Sequence, residues 1–122
     1  MNPHMLPKVR SKAIMSSARG KPCTLRIASF IPGNRCAPND TTICTHLPIW
    51  GKGKSTKTTD AAAVYGCFNC HQIIDGPDQK SLLWLQEHYP VAIMERFLHA
   101  LTETQAMQIK AGILVYPDGK II

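Results

Sequence analysis

Cys67-Phe68-Asn69-Cys70-His71 is the stretch on which the reading of this chain turns. Two thiols three residues apart, followed directly by a histidine, serve three chemistries: attachment of a c-type haem, a redox-active dithiol, or half of a zinc site. Haem needs an export route and usually a distal ligand, and it would leave three further cysteines unexplained. A dithiol expects a thioredoxin-like βαβ setting, which the flanking sequence does not offer. Zinc needs four ligands in a tetrahedron, most often thiolates when the site is structural. Cys67 and Cys70 supply two, at a spacing that lets a turn leading into a helix wrap one ion. Cys23 and Cys36 are the favoured other two, their 13-residue separation fitting the two ends of a hairpin-like loop. Cys44 is then a buried spare, or a substitute for one member of the first pair.

The rest of the chain sets the context. A length of 122 residues with 44% hydrophobic residues fits a single globular domain with a modest core. A core of that size is often helped by a metal. No apolar run approaches the ~18 residues needed to cross a bilayer. Met1–Arg10 lacks an apolar segment of the kind found in export signals, so the expectation is a cytoplasmic protein with no membrane partner. In a reducing compartment five cysteines favour metal ligation or burial over disulfides. Charge is uneven: residues 1–60 hold ten Lys or Arg against Asp40 and Asp60, a net +8, whereas residues 61–122 carry −2. A basic half points to a polyanionic partner, most simply nucleic acid.

Residues 1–10 read as a flexible arm and 11–122 as one domain. The pattern predicts a helix over Ser11–Arg19 stopped by Gly20 and Pro22, and a strand over Cys23–Ile31 before a Pro32-Gly33-Asn34 turn. A short strand is expected at Ile43–Leu47, then an exposed basic loop from Pro48 to Asp60, then a return strand at Ala61–Tyr65. A helix starts near Phe68–Cys70 and ends at Gly76-Pro77. Asp78 caps the next, with Leu82, Leu85 and Tyr89 on one face. Pro90 opens a third, with Met94, Phe97, Leu98 and Leu101 at helical spacing and an end near Gly112. Ile113–Tyr116 and Lys120–Ile122 flank Pro117-Asp118-Gly119 as a short terminal hairpin. The apolar 82–101 region makes a second copy of the chain a candidate partner, that is, a homodimer.

If Cys70 holds zinc at a helix start, His71 projects elsewhere from the first turn. Asp75, four residues on, shares its helix face. An imidazole and a carboxylate at that spacing can grip one divalent cation. His46 stands at the end of a predicted strand, before the Gly/Lys-rich loop.

This ordered set resembles the HNH, or ββα-metal (His-Me finger), endonucleases. It is most similar to the small phage- and prophage-encoded nucleases of the YbcO type. The strings that carry the resemblance are residues 18–27 (ARGKPCTLRI), Thr45-His46-Leu47, Lys57-Thr58-Thr59-Asp60 and residues 67–75 (CFNCHQIID), and it spans roughly residues 12–115. It implies an α+β fold with a zinc-bound, treble-clef-like ββα-metal core followed by C-terminal helices. It implies a metal-dependent DNA endonuclease or nickase that hydrolyses phosphodiester bonds in phage or prophage DNA processing. His46 takes the place of the general base and Asp60 that of the Asn that orients it. His71 takes the place of a ligand of a catalytic Mg²⁺ or Mn²⁺, with Asp75 as second ligand, while the four cysteines hold structural Zn²⁺. Three departures stand out: Thr45 occupies the position where many such enzymes have an acid or a histidine, Asp60 replaces Asn, and the Cys23–Cys36 segment is longer than the family pattern. Arg19, Lys21, Arg26, Lys52, Lys54 and Lys57 then acquire a use as phosphate contacts, which position a substrate without reading its sequence. The alternative is a zinc-stabilised nucleic-acid-binding accessory protein without catalysis.

Overall fold

The computed structural model describes residues 7–48 and 58–122. Its elements are α1 (Lys12–Ser17), β1 (Ile43–His46), β2 (Ala63–Gly66), α2 (Phe68–Ile74), α3 (Gln79–His88) and α4 (Pro90–Lys110), with 3₁₀ turns at Ala28–Phe30, Asn39–Thr41 and Asp60–Ala62. Helix and a small sheet coexist, so the architecture is α+β.

The sheet is a single antiparallel pair, with Cys44 opposite Tyr65, Thr45 opposite Val64 and His46 opposite Ala63. Side chains alternate between its two faces. Cys44, Ala63 and Tyr65 pack with Ile14 and Ala18 around α1. Val64 points the other way, into the larger cluster of Leu25, Ile27, Ile73, Leu85, Ile93 and Phe97. Both faces are covered, which is why so short a pair is buried almost throughout. Close packing also fixes Gly66: a Cβ there would lie 2.5 Å from Thr45 Oγ1 and 3.0 Å from Leu25 Cδ1.

α1 is capped by Ser11, whose side chain accepts from the Ile14 N–H. α4 opens on Pro90, where the missing N–H costs nothing. It ends at Gly112 (φ 75°), where Ile113 and Leu114 N–H groups both return to the Gln108 carbonyl. Among the described residues, no helix is long and apolar enough to cross a membrane.

Three expectations are corrected. Cys23–Ile31 is not a strand. Thr24 and Leu25 both donate to the Tyr65 carbonyl, and Arg26 then turns at φ 49° so that its N–H reaches Cys23 Sγ at 3.4 Å. Wrapping a thiol in this way is incompatible with extended backbone. The terminal hairpin does not form either. The turn sits at Tyr116–Gly119 as expected, but the N–H groups of residues 113 and 114 are taken by the α4 cap, and no ladder follows. In α4 the inward face is Ile93, Phe97, Ala100, Thr104 and Gln108. Met94 and Leu98, placed at one helical spacing with Phe97 and Leu101, are exposed. The same holds for Tyr89 beside the buried Leu82 and Leu85.

Candidate metal centre and His–Asp pair

Three chain segments bring four cysteines to one point. Cys23 comes from the Thr24–Arg26 turn, Cys36 from the loop before β1, Cys67 caps α2 and Cys70 lies in its first turn. The four sulfurs all lie within 4.8 Å of one another. The Cys36 and Cys70 sulfurs are 3.8 Å apart. A zinc–thiolate tetrahedron with bonds of about 2.3 Å has edges of about 3.8 Å. Backbone N–H groups point at the sulfurs: Arg26 to Cys23 at 3.4 Å, Ala28 to Cys70 at 3.4 Å and Ala37 to Cys67 at 3.3 Å. Such donors favour thiolate over thiol.

The protonation pattern is that of a donor set built for a cation. The Cys70 thiol donates to Cys23 and, with the Arg26 N–H, overcomes burial to lower Cys23 to about 5. Burial, then the negative charge of Cys23, pushes Cys36 up to about 12. Donation to Cys23, and then burial, drives Cys70 strongly upward. One anion is tolerated and the next are resisted, an opposition that a central divalent cation removes. The residues therefore fit zinc. Cys44 is outside this group, on the α1 side of the sheet, where its Sγ donates to the Ile14 carbonyl at 3.2 Å.

The second feature is a buried pair. His46, the last residue of β1, places Nε2 2.8 Å from Asp60 Oδ1, with 2% and 4% of the two side chains exposed. The strand pairing of His46 with Ala63, and the 3₁₀ turn at Asp60–Ala62, bring the two together. Burial opposes the charge of Asp60. The His46 bond, the Ser11 N–H at 2.7 Å and the nearby Arg10 guanidinium outweigh it and hold the carboxyl below its usual range. Since an ionised carboxylate only accepts, the Nε2–H of His46 donates in this bond.

Sequence reasoning missed what holds Asp60. The Val9 carbonyl accepts from the Asp60 N–H at 2.9 Å, the Val9 N–H donates to Thr59 Oγ1 at 3.0 Å, and Arg10 Nη1 donates to the Thr58 carbonyl at 2.6 Å. These contacts span about fifty positions of sequence, and Ser11 as a helix cap is their one local signal.

His71 Nε2 and Asp75 Oδ2 are 3.8 Å apart across one helical turn, with 24% and 21% of the side chains exposed. Two ligands at about 2.1 Å from one octahedral ion are separated by about 3.0 Å when adjacent and 4.2 Å when opposed, and the observed separation matches neither. Among the described residues, the four cysteines form the one cluster of three or more candidate ligands. The His46–Asp60 and His71–Asp75 pairs do not merge into another. Of the basic residues, Arg19 and Lys21 are exposed just after α1. Arg26 is gripped by both carboxylate oxygens of Glu103, at 2.8 and 3.0 Å, and Arg96 holds the same carboxylate at 2.7 Å. Lys52, Lys54 and Lys57 lie outside the described residues.

Fold and site together define a small α+β protein with a four-thiolate centre suited to a metal ion and, at the end of β1, a buried His–Asp pair. A family model described as "Putative nuclease YbcO" matches residues 12–111. The chain belongs to this family, and the coarse function that comes with membership is that of a nuclease, a hydrolase acting on nucleic acid. A search of curated proteins and a search of solved structures each found no match.

Proposed function

We propose that this protein is a metal-dependent DNA endonuclease or nickase of the ββα-metal type, serving phage or prophage DNA recombination or processing. The observation that carries the reading is the His46–Asp60 bond of 2.8 Å at the end of β1. Asp60, held by Ser11 and Arg10, orients the imidazole through its Nε2–H, and in this reading the other ring nitrogen would take a proton from an attacking water. The order β1, β2, α2, with His71 on the helix and thiols at its start, supports the same reading. His71 and Asp75 would hold a Mg²⁺ or Mn²⁺ ion, which when bound stabilises charge on the scissile phosphate and the leaving oxygen. The four cysteines would hold a structural Zn²⁺. Arg19, Lys21 and the Lys52, Lys54 and Lys57 segment would contact phosphates. Arg26 joins them only by releasing Glu103.

A specific observation favours a second reading. The His46 ring is nearly inaccessible, and Thr45, where relatives of the type carry a ligand, is fully buried beside Gly66. A zinc-stabilised DNA-binding protein without catalysis needs neither group at the surface. Incubating zinc-loaded protein with supercoiled plasmid and Mg²⁺ or Mn²⁺ separates the two. The nuclease reading expects nicked or linear product that His46→Ala reduces by about 10²–10⁴-fold, the usual weight of a positioned base. An intact plasmid, bound in a salt-sensitive manner by wild type and His46→Ala alike, establishes the second reading instead.

A further inference from the structure

At 3.6 residues per turn, the line of α4 opposite its buried face carries Val91, Glu95, Leu98, Thr102, Ala106 and Ile109, with Met94 beside it. A solvent-facing line is normally polar. Here Val91, Met94 and Leu98 are 68%, 62% and 66% exposed, and Glu95 is the charge among them. The other end of the same line opens into a hollow of about 860 Å³, lined by Ile109, Leu114, Val115 and Tyr116 and by the two lysines Lys110 and Lys120. One end is thus an apolar ridge with an acid, and the other an apolar hollow with bases.

A two-fold axis satisfies both ends at once, since an isologous contact sets residue i against j and j against i. With two copies of α4 antiparallel and the axis beside Thr102, Glu95 of one copy stands level with Lys110 of the other, and the Val91–Leu98 ridge faces the end of α4 that carries Ala106, Ile109 and the hollow. We propose that two copies of this chain associate through the outward face of α4, the Val91–Met94–Leu98 ridge of each copy seated in the hollow of the other. Size supports a role for the tail. A stable interface covers about 800 Å² on each partner. The line from Val91 to Ile109, about 27 Å long and 10 Å wide, falls well short alone. Contact beyond that line falls to the walls of the hollow in the segment 114–121. That segment lies past residue 111, where the family match ends, whereas Val91, Met94 and Leu98 lie within the match.

Sedimentation velocity on the full zinc-loaded chain, over a range of concentrations, tests this. Wild type is expected at twice the chain mass. Leu98→Glu, which loses an anchor near the centre, is expected to raise the dissociation constant roughly thirtyfold or more. Glu95→Lys and Lys110→Glu each weaken the dimer, and the double exchange restores it, because both symmetric contacts are reversed together. Far-UV circular dichroism and zinc content should stay unchanged throughout. Wild type that is monomeric at every concentration, or a dimer indifferent to the Glu95→Lys and Lys110→Glu exchanges, overturns the proposal. Neither outcome bears on plasmid cleavage.

Discussion

Asp60 shows how one residue binds distant segments into a site. Its carboxylate takes Nε2–H of His46 on one oxygen and the Ser11 N–H on the other, with Arg10 alongside. A buried, fully partnered charge is costly to break from one side: Asp60→Ala should lose about 3 kcal/mol. Asp60→Asn keeps an accepting oxygen and should lose about 1–2 kcal/mol. The sign of the pH effect follows from the depressed carboxyl. Its stabilisation is fully present above the unfolded-state value near 3.9 and fades as pH falls through the lower folded-state value. Urea unfolding of wild type and Asp60→Asn should therefore show a gap that narrows below pH ~4; a gap of constant size removes the charge from the account. His46 and Asp60 were legible in the sequence as a strand end and a loop end. The Val9–Ser11 strap that fixes Asp60 was not, because it is made mostly of backbone groups far apart in the chain, and such bonds leave no mark on residue type.

At the scale of elements, the positions of β1, β2 and all four helices could be read from apolar spacing and caps, to within a few residues. The failures share a cause. Cys23–Ile31 has strand-like composition, but the thiol at its start imposes a turn through Arg26, and a ligand site overrides propensity. In α4 two apolar lines run side by side, one inward and one outward. Periodicity alone merged Phe97 with Met94 and Leu98. The departure at Thr45 also has an element-level explanation. The alternation of β1 sends its side chain to the Gly66 face rather than the His46 face, so it serves packing. Gly66→Ala would force a methyl to 2.5 Å from Thr45 Oγ1 in a sheet with no slack on either side. Overpacking of this kind costs about 1–3 kcal/mol. Thermal denaturation should register it, and Thr45→Ala in the same chain should recover much of the loss; an unchanged melting temperature in Gly66→Ala would show that the strands can part.

On the scale of the whole molecule the four thiols do more than decorate the fold. Cys23, Cys67 and Cys70 belong to the larger hydrophobic cluster, and the helix that Cys67 and Cys70 open packs against α3 and both strands. A structural zinc contributes about 10–16 kcal/mol in small domains that fold with the metal. The entire stability of a typical domain is about 5–15 kcal/mol. For a core this small, the comparison means that metal and fold go together. Stripping zinc with a strong chelator should abolish the cooperative unfolding transition, and returning one equivalent should restore it. The same logic separates the five cysteines. Cys36 is the most peripheral of the four, yet Cys36→Ser should drop the bound zinc and the transition with it. Cys44, pushed up to about 11 by burial and then by Asp60, lies on the far face of the sheet with its hydrogen to Ile14. Cys44→Ser should therefore keep one zinc per chain, as measured by plasma emission on dialysed protein. A Cys44→Ser protein that loses its metal while Cys36→Ser retains it would reassign the fourth ligand, and with it the path of the loop between Pro32 and Thr42.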